Sequence, residues 1–126
     1  MVKQYLTSLM VFTLIDGLWL GLVAPTFYRT HIGHLMKPEA DLAAAGLFYL
    51  LFLVGLNIFV IHPYRAESLI TISLYGALFG LITYATFDLT SVAVFTDFPY
   101  IVAAIDMLWG AILCASISVI TVWFTR

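Results

Sequence analysis

Charge is what this chain has least of. Charged residues fill 10% of its 126 positions, against about a quarter in a soluble domain. So sparse a charged surface cannot hold a folded chain in water, and 63% of the residues are hydrophobic. Such a composition needs lipid as its solvent. Basic residues are scarcer still: five Lys and Arg against seven Asp and Glu leave a net charge of −2. No basic face is available for nucleic acid. One cysteine, Cys114, excludes an intrachain disulfide and reads as a small packing residue. Also missing are HExxH, a Ser–His–Asp pattern, a Gly-rich phosphate loop and paired cysteines. The sequence therefore assigns no catalytic residue, cofactor or metal centre. His31 and His34, beside Glu39 and Asp41, read as interfacial polar residues rather than ligands.

Proline is rare too, and its four occurrences punctuate the chain. Pro25, Pro38, Pro63 and Pro99 fall where apolar runs start or stop, as expected of a residue that breaks helix interiors. They delimit four spans, about Tyr5 to Ala24, Leu42 to Ile61, Leu69 to Phe87 and Tyr100 to Phe124. Each is close to the roughly 20 residues that cross a bilayer. The runs are apolar on every face, without the alternation of a barrel strand. We expect an all-α membrane protein: one domain, an antiparallel bundle of four transmembrane helices. The first run is not a signal peptide, because Asp16 interrupts it and Pro25 would follow the cut.

An even number of spans puts both termini on one side, with Lys3, Arg65 and Arg126; Arg29 and Lys37 lie opposite. That count favours cytoplasmic termini. If Thr26 to Lys37 is helical, Phe27, Tyr28, Ile32, Leu35 and Met36 share a face, which predicts a short interfacial segment in the first loop. Gly17 and Gly21, Gly76 and Gly80, and the run Ala43 to Gly46 have the spacing of close helix contacts. These would lie within the bundle, between two copies in a homodimer, or against another membrane protein.

Acids occur where they are costly. Ile15-Asp16-Gly17-Leu18-Trp19 is echoed by Ile105-Asp106-Met107-Leu108-Trp109, each inside a span. A mid-span aspartate costs roughly 2.5–3.5 kcal/mol on insertion scales. Each tryptophan shares a face with its aspartate, and Tyr84 shares one with Asp88. A cluster of Asp16, Trp19, Tyr84, Asp88, Asp106 and Trp109 follows. Asp16 and Asp106 would be its carboxylate pair, Trp19, Tyr84 and Trp109 its walls, and Asp88 its mouth. No Lys or Arg lies within any span. Two buried carboxylates without a cation cannot both stay charged, so a proton, a metal ion or an organic amine would sit between them. The structural alternative is a protonated aspartate that pins neighbouring helices. Asn57, deep in span two, reads as such an interhelical contact.

The stretch Tyr84-Ala85-Thr86-Phe87-Asp88-Leu89-Thr90, with Phe98-Pro99 and Asp106-Met107-Leu108-Trp109-Gly110, resembles a known family. It is that of the small bacterial membrane proteins grouped as domain of unknown function 2177. Asp16 with Trp19, Phe27-Tyr28-Arg29 and Phe48-Tyr49 extend the resemblance over nearly the whole chain. Ser91 departs from it, standing where the family usually has Asn, and no basic residue precedes Pro99 in Asp97-Phe98-Pro99. The resemblance implies a four-span protein of the bacterial inner membrane and no established activity. The expected function is binding or translocation of a small cation, proton or polar lipid-like ligand. The alternatives are a non-catalytic membrane subunit and a lipid-modifying enzyme using Asp16 or Asp106 as general acid or base.

Overall fold

The computed structural model describes every residue, Met1–Arg126. Four helices make up most of it: α1 (Val2–Leu35), α2 (Leu42–Ile61), α3 (Leu69–Val94) and α4 (Tyr100–Thr125). All four are long and apolar enough to cross a membrane, and there are no strands. This is an all-α, four-helix membrane protein.

Local chemistry sets several boundaries. Asp41 caps α2, accepting the Ala44 N–H at 3.1 Å, and Ser68 caps α3, accepting the Thr71 N–H at 3.2 Å. Pro99 sits immediately before α4, where its missing N–H costs nothing.

Two elements run further than the sequence suggests. Pro25 does not end the first span. Trp19–Val23 widens into a π turn, and Pro25 falls near the start of the α-helix that resumes at Ala24. At that position a missing donor and a bulky ring are tolerated. The segment expected to lie in the interface is thus the end of α1. Its Phe27, Tyr28 and Ile32 pack against a small core of Phe98, Val102 and Ala103. Likewise α3 passes Phe87 and continues to Val94. The Thr86 and Thr90 hydroxyls turn back onto carbonyls of the preceding turn, satisfying themselves without breaking the helix.

The closest packing is between α3 and α4, and glycine sets it. A Cβ at Gly76 would come within 2.8 Å of the Cys114 carbonyl, and one at Gly80 would run into the Gly110 backbone. Below the site, Phe12, Leu53, Leu56, Ile72, Leu113 and Ile117 form a sealed core. Gly17, Gly21 and Gly46 instead meet nothing within 4 Å, so these small residues do not serve contacts inside the bundle.

Both termini and the turn after α2 lie at one end. There Gln4 Oε1 meets His62 Nδ1 at 3.1 Å, and the Arg126 guanidinium donates to the carbonyls of Arg65 and Glu67. Helix α2 packs on α3 near this turn, through Asn57–Ile61, and the two then part toward the opposite end. Of Leu42–Leu51 only Tyr49 is turned inward.

Candidate functional site

Three helices each supply one carboxylate. On α1 the inward stripe is Gln4, Ser8, Phe12 and Asp16, spaced four apart as one helical face requires. Asp16 is 7% exposed and both of its oxygens are engaged. The Tyr49 hydroxyl of α2 donates to Oδ2, and Trp109 Nε1 of α4 donates to Oδ1 at 3.3 Å.

Trp109 stacks on Trp19 with ring centroids 4.4 Å apart and planes at 10°. Tyr28 meets Trp19 edge-on, with centroids at 6.4 Å, and its hydroxyl donates to Asp106 Oδ1. Tyr28 reaches this point because of the π turn. At about 100° per residue, an unbroken α-helix would place Tyr28 roughly 120° around the axis from Asp16. One π turn absorbs about one extra residue, which brings it back to roughly 20°.

Asp88 of α3 is fully buried. Its carboxyl lies beside that of Asp106, and neither of its oxygens has a hydrogen-bond donor. Tyr84, one turn earlier, lines the same opening as Asp106. Its ring lies flat on Gly110, where a Cβ would stand 2.6 Å from Cδ1. Only glycine permits that approach.

Of the six residues singled out in the sequence, Asp16, Trp109, Trp19 and, through Tyr28, Asp106 are joined by hydrogen bonds and ring contacts. Asp88 lies beside Asp106, and Tyr84 lines an opening with Asp106. The arrangement differs from the expected one. Asp106 is paired with Asp88, not with Asp16. Asp16 and Asp106 each have a tyrosine of their own, and the stacked indoles link the two acid–tyrosine units. Asp88 is the most buried of the three acids, not the mouth, because α3 continues beyond it and Phe98 closes against Phe87 with centroids at 5.7 Å. Tyr28 and Tyr49 were not among the predicted site residues. The signal was a polar hydroxyl inside or just beyond an apolar run, which reads equally well as an interface anchor.

The elements also leave an opening. Where α2 and α3 part, a cleft of about 390 Å³ is lined by Phe48, Thr83, Tyr84, Phe87 and Asp106. Phe48 and Phe87 are 48% and 60% exposed on the lipid-facing surface. Across Phe87 lies a second groove of about 320 Å³, between the end of α1 and the α3–α4 connection. No base approaches the acids: Arg29 is exposed, and the one ion pair in the molecule joins His34 to Asp97 at 3.8 Å. His31 is used separately, its Nδ1 meeting the Phe27 carbonyl at 2.8 Å.

Residues 1–123 match the family described as predicted membrane protein, DUF2177. The chain belongs to the DUF2177 family. That description gives a location and no activity. No curated protein and no solved structure matches the chain. In this DUF2177 member Ser91, one turn beyond Asp88, is buried and lines the second groove.

Proposed function

We propose that this protein binds a small positively charged group, or the proton it replaces, at the Asp88–Asp106 pair. The observation that carries this reading is Asp88: a fully buried carboxyl with two unfilled acceptors, beside a second carboxyl and without a base nearby. Unpaired buried charge is far too costly to persist. A proton shared between the two acids supplies the missing donor at rest, and an ammonium or metal cation takes its place when bound. Asp16, with its Tyr49 and Trp109 donors, is already satisfied and serves as the fixed wall. The stacked tryptophans and Tyr84 offer π faces that favour a cation over an anion. Translocation would require the same exchange to open toward both ends of the bundle.

The test is proton release. Purified full-length protein in weakly buffered detergent is titrated with methylammonium, sodium and divalent ions. Displacement of the shared proton by one of them releases up to about one proton per chain, and Asp88→Asn abolishes it. If no cation releases protons or shifts the melting temperature of the wild type, the reading is wrong.

A second reading is favoured by the outward-facing Gly17 and Gly21: a membrane subunit that packs against a second copy or another membrane protein. Gly17→Leu would then dissociate a complex while leaving proton release intact.

A further inference from the structure

We infer that the cation is the head of a membrane-soluble organic amine, and that it enters sideways from the bilayer through the cleft between α2 and α3. This rests on the cation-binding reading above. Three observations lead from that reading to a ligand class and a route.

The first is the shape of the opening. Helices α2 and α3 are closed at their connecting turn and apart above it, so the cleft faces lipid rather than either aqueous side. Its rim residues Phe48 and Phe87 lie on the exposed apolar surface, and Asp106 is the sole charged residue in its lining. A solute that enters here arrives from the hydrocarbon.

The second is the donor count. A hard metal cation collects about six oxygen ligands, whereas an alkylammonium needs only three acceptors. Asp106 Oδ1 already accepts from Tyr28. A free acceptor remains on Asp106 Oδ2, on the residue that lines the cleft, while the two unfilled oxygens of Asp88 lie buried behind it. Thr83 and Tyr84 add hydroxyls to the lining. That set suits one ammonium and falls short of a metal's shell. The Tyr84 and Phe87 rings supply the cation–π surface that an organic cation uses.

The third is room for a tail. Phe87 is a wall of both the cleft and the second groove. The groove's Ile32, Leu35, Met36, Phe95 and Phe98 are apolar, so a chain attached to the ammonium can lie along them. A phospholipid amine fits less well. Its phosphate would enter beside two carboxyls with no Lys or Arg to receive it. The ligand is therefore a lipophilic amine without a phosphate.

The experiment uses the full chain in phosphatidylcholine nanodiscs and labelled decylammonium as the probe. The expected result is one saturable site per chain, with methylammonium competing at least a hundredfold more weakly and decanol hardly at all. Asp106→Asn and Asp88→Asn each weaken binding at least tenfold. Should either variant fail to fold, Phe48→Trp, on the exposed rim, keeps the melting temperature and still lowers decylammonium affinity at least tenfold by narrowing the entrance.

Equal competition by methylammonium would overturn lateral entry while leaving the carboxylate site standing. Decylammonium uptake that neither saturates nor depends on Asp106 is partition into lipid, and overturns the inference even if methylammonium still releases protons. Competition by phosphatidylethanolamine would reassign the site to a lipid headgroup and overturn the free amine. Absence of both decylammonium binding and proton release removes this inference and the function beneath it together.

Discussion

Toward the end of the bundle that carries the termini, Asn57 Nδ2 donates to Ser8 Oγ at 3.0 Å and to the Leu53 carbonyl at 2.8 Å, with Gln4 on His62 next to it. Toward the other end, three acids, three aromatic donors and an open cleft occupy the same four helices. Both regions bury polar atoms, and both leave some without partners. In the first these are the Asn57 amide oxygen and the hydroxyls of Ser118 and Thr121; in the second they are the two oxygens of Asp88. Their chemistry differs in kind. A neutral group left unpaired costs about 1–3 kcal/mol, which a well-packed core can absorb. A carboxylate must find a proton or a cation. The first region can hold helices together as it stands, whereas the second needs at least a proton to complete it.

The largest expected effect separates the two most sharply. Asp88→Asn should weaken cation binding at least tenfold while the thermal midpoint stays level or rises, since asparagine brings its own donors to the empty acceptors. Titration and unfolding on the same preparation check this, and a large loss of stability would make Asp88 a pin like Asn57. Next is Tyr28→Phe. Loss of its hydrogen bond frees Asp106 Oδ1, so cation affinity should rise severalfold as stability falls by about 1 kcal/mol. Asn57→Leu should affect stability alone. Stability should drop by about 0.6–1.7 kcal/mol, the span of measured membrane hydrogen bonds, and cation affinity should stay within twofold. A Ser8→Ala, Asn57→Leu cycle should give a coupling of about 0.6 kcal/mol.

The smallest effect is a pH slope at the terminal end. Desolvation, then the Arg65 guanidinium and the N-terminal amine, hold His62 below its ordinary value of 6.5. The fold therefore favours neutral His62. Its contribution is whole above the ordinary value and is lost as the pH falls through the lowered one. Unfolding midpoints of wild type and His62→Gln should diverge slightly above pH 6.5 and converge in acid.

The fold was open to reading because bilayer thickness imposes span length, and composition reports it directly. The six candidate residues stood out for a related reason: in lipid an aspartate or a deep tryptophan is conspicuous. Their partnerships were not. Pairing Asp88 with Asp106 depends on α3 continuing past Phe87, and threonine self-satisfaction hides that continuation from a polarity count. Tyr49 pointing at Asp16 depends on how α2 leans across the bundle, which no local pattern encodes. Gly76 and Gly80 proved to be contacts while the equally spaced Gly17 and Gly21 did not, because spacing says which residues share a face and not where that face looks.

The π turn in α1 has a consequence for how the site can be altered. Leu20, Gly21, Leu22 and Val23 are all exposed on the outer surface, so exchanging one apolar residue for another there should change little. What matters in that turn is its number of residues. Removing any one of them would return the turn to ordinary α-helix and leave a span still long enough to cross. Because the π turn absorbs one residue, everything beyond would keep its angle and the Tyr28 hydroxyl would still face Asp106; adding a further residue that the helix does not absorb would instead swing it by about 100°. The site is thus tolerant of spelling, and of losing the absorbed residue, but not of gaining one, at a stretch that touches none of its acids.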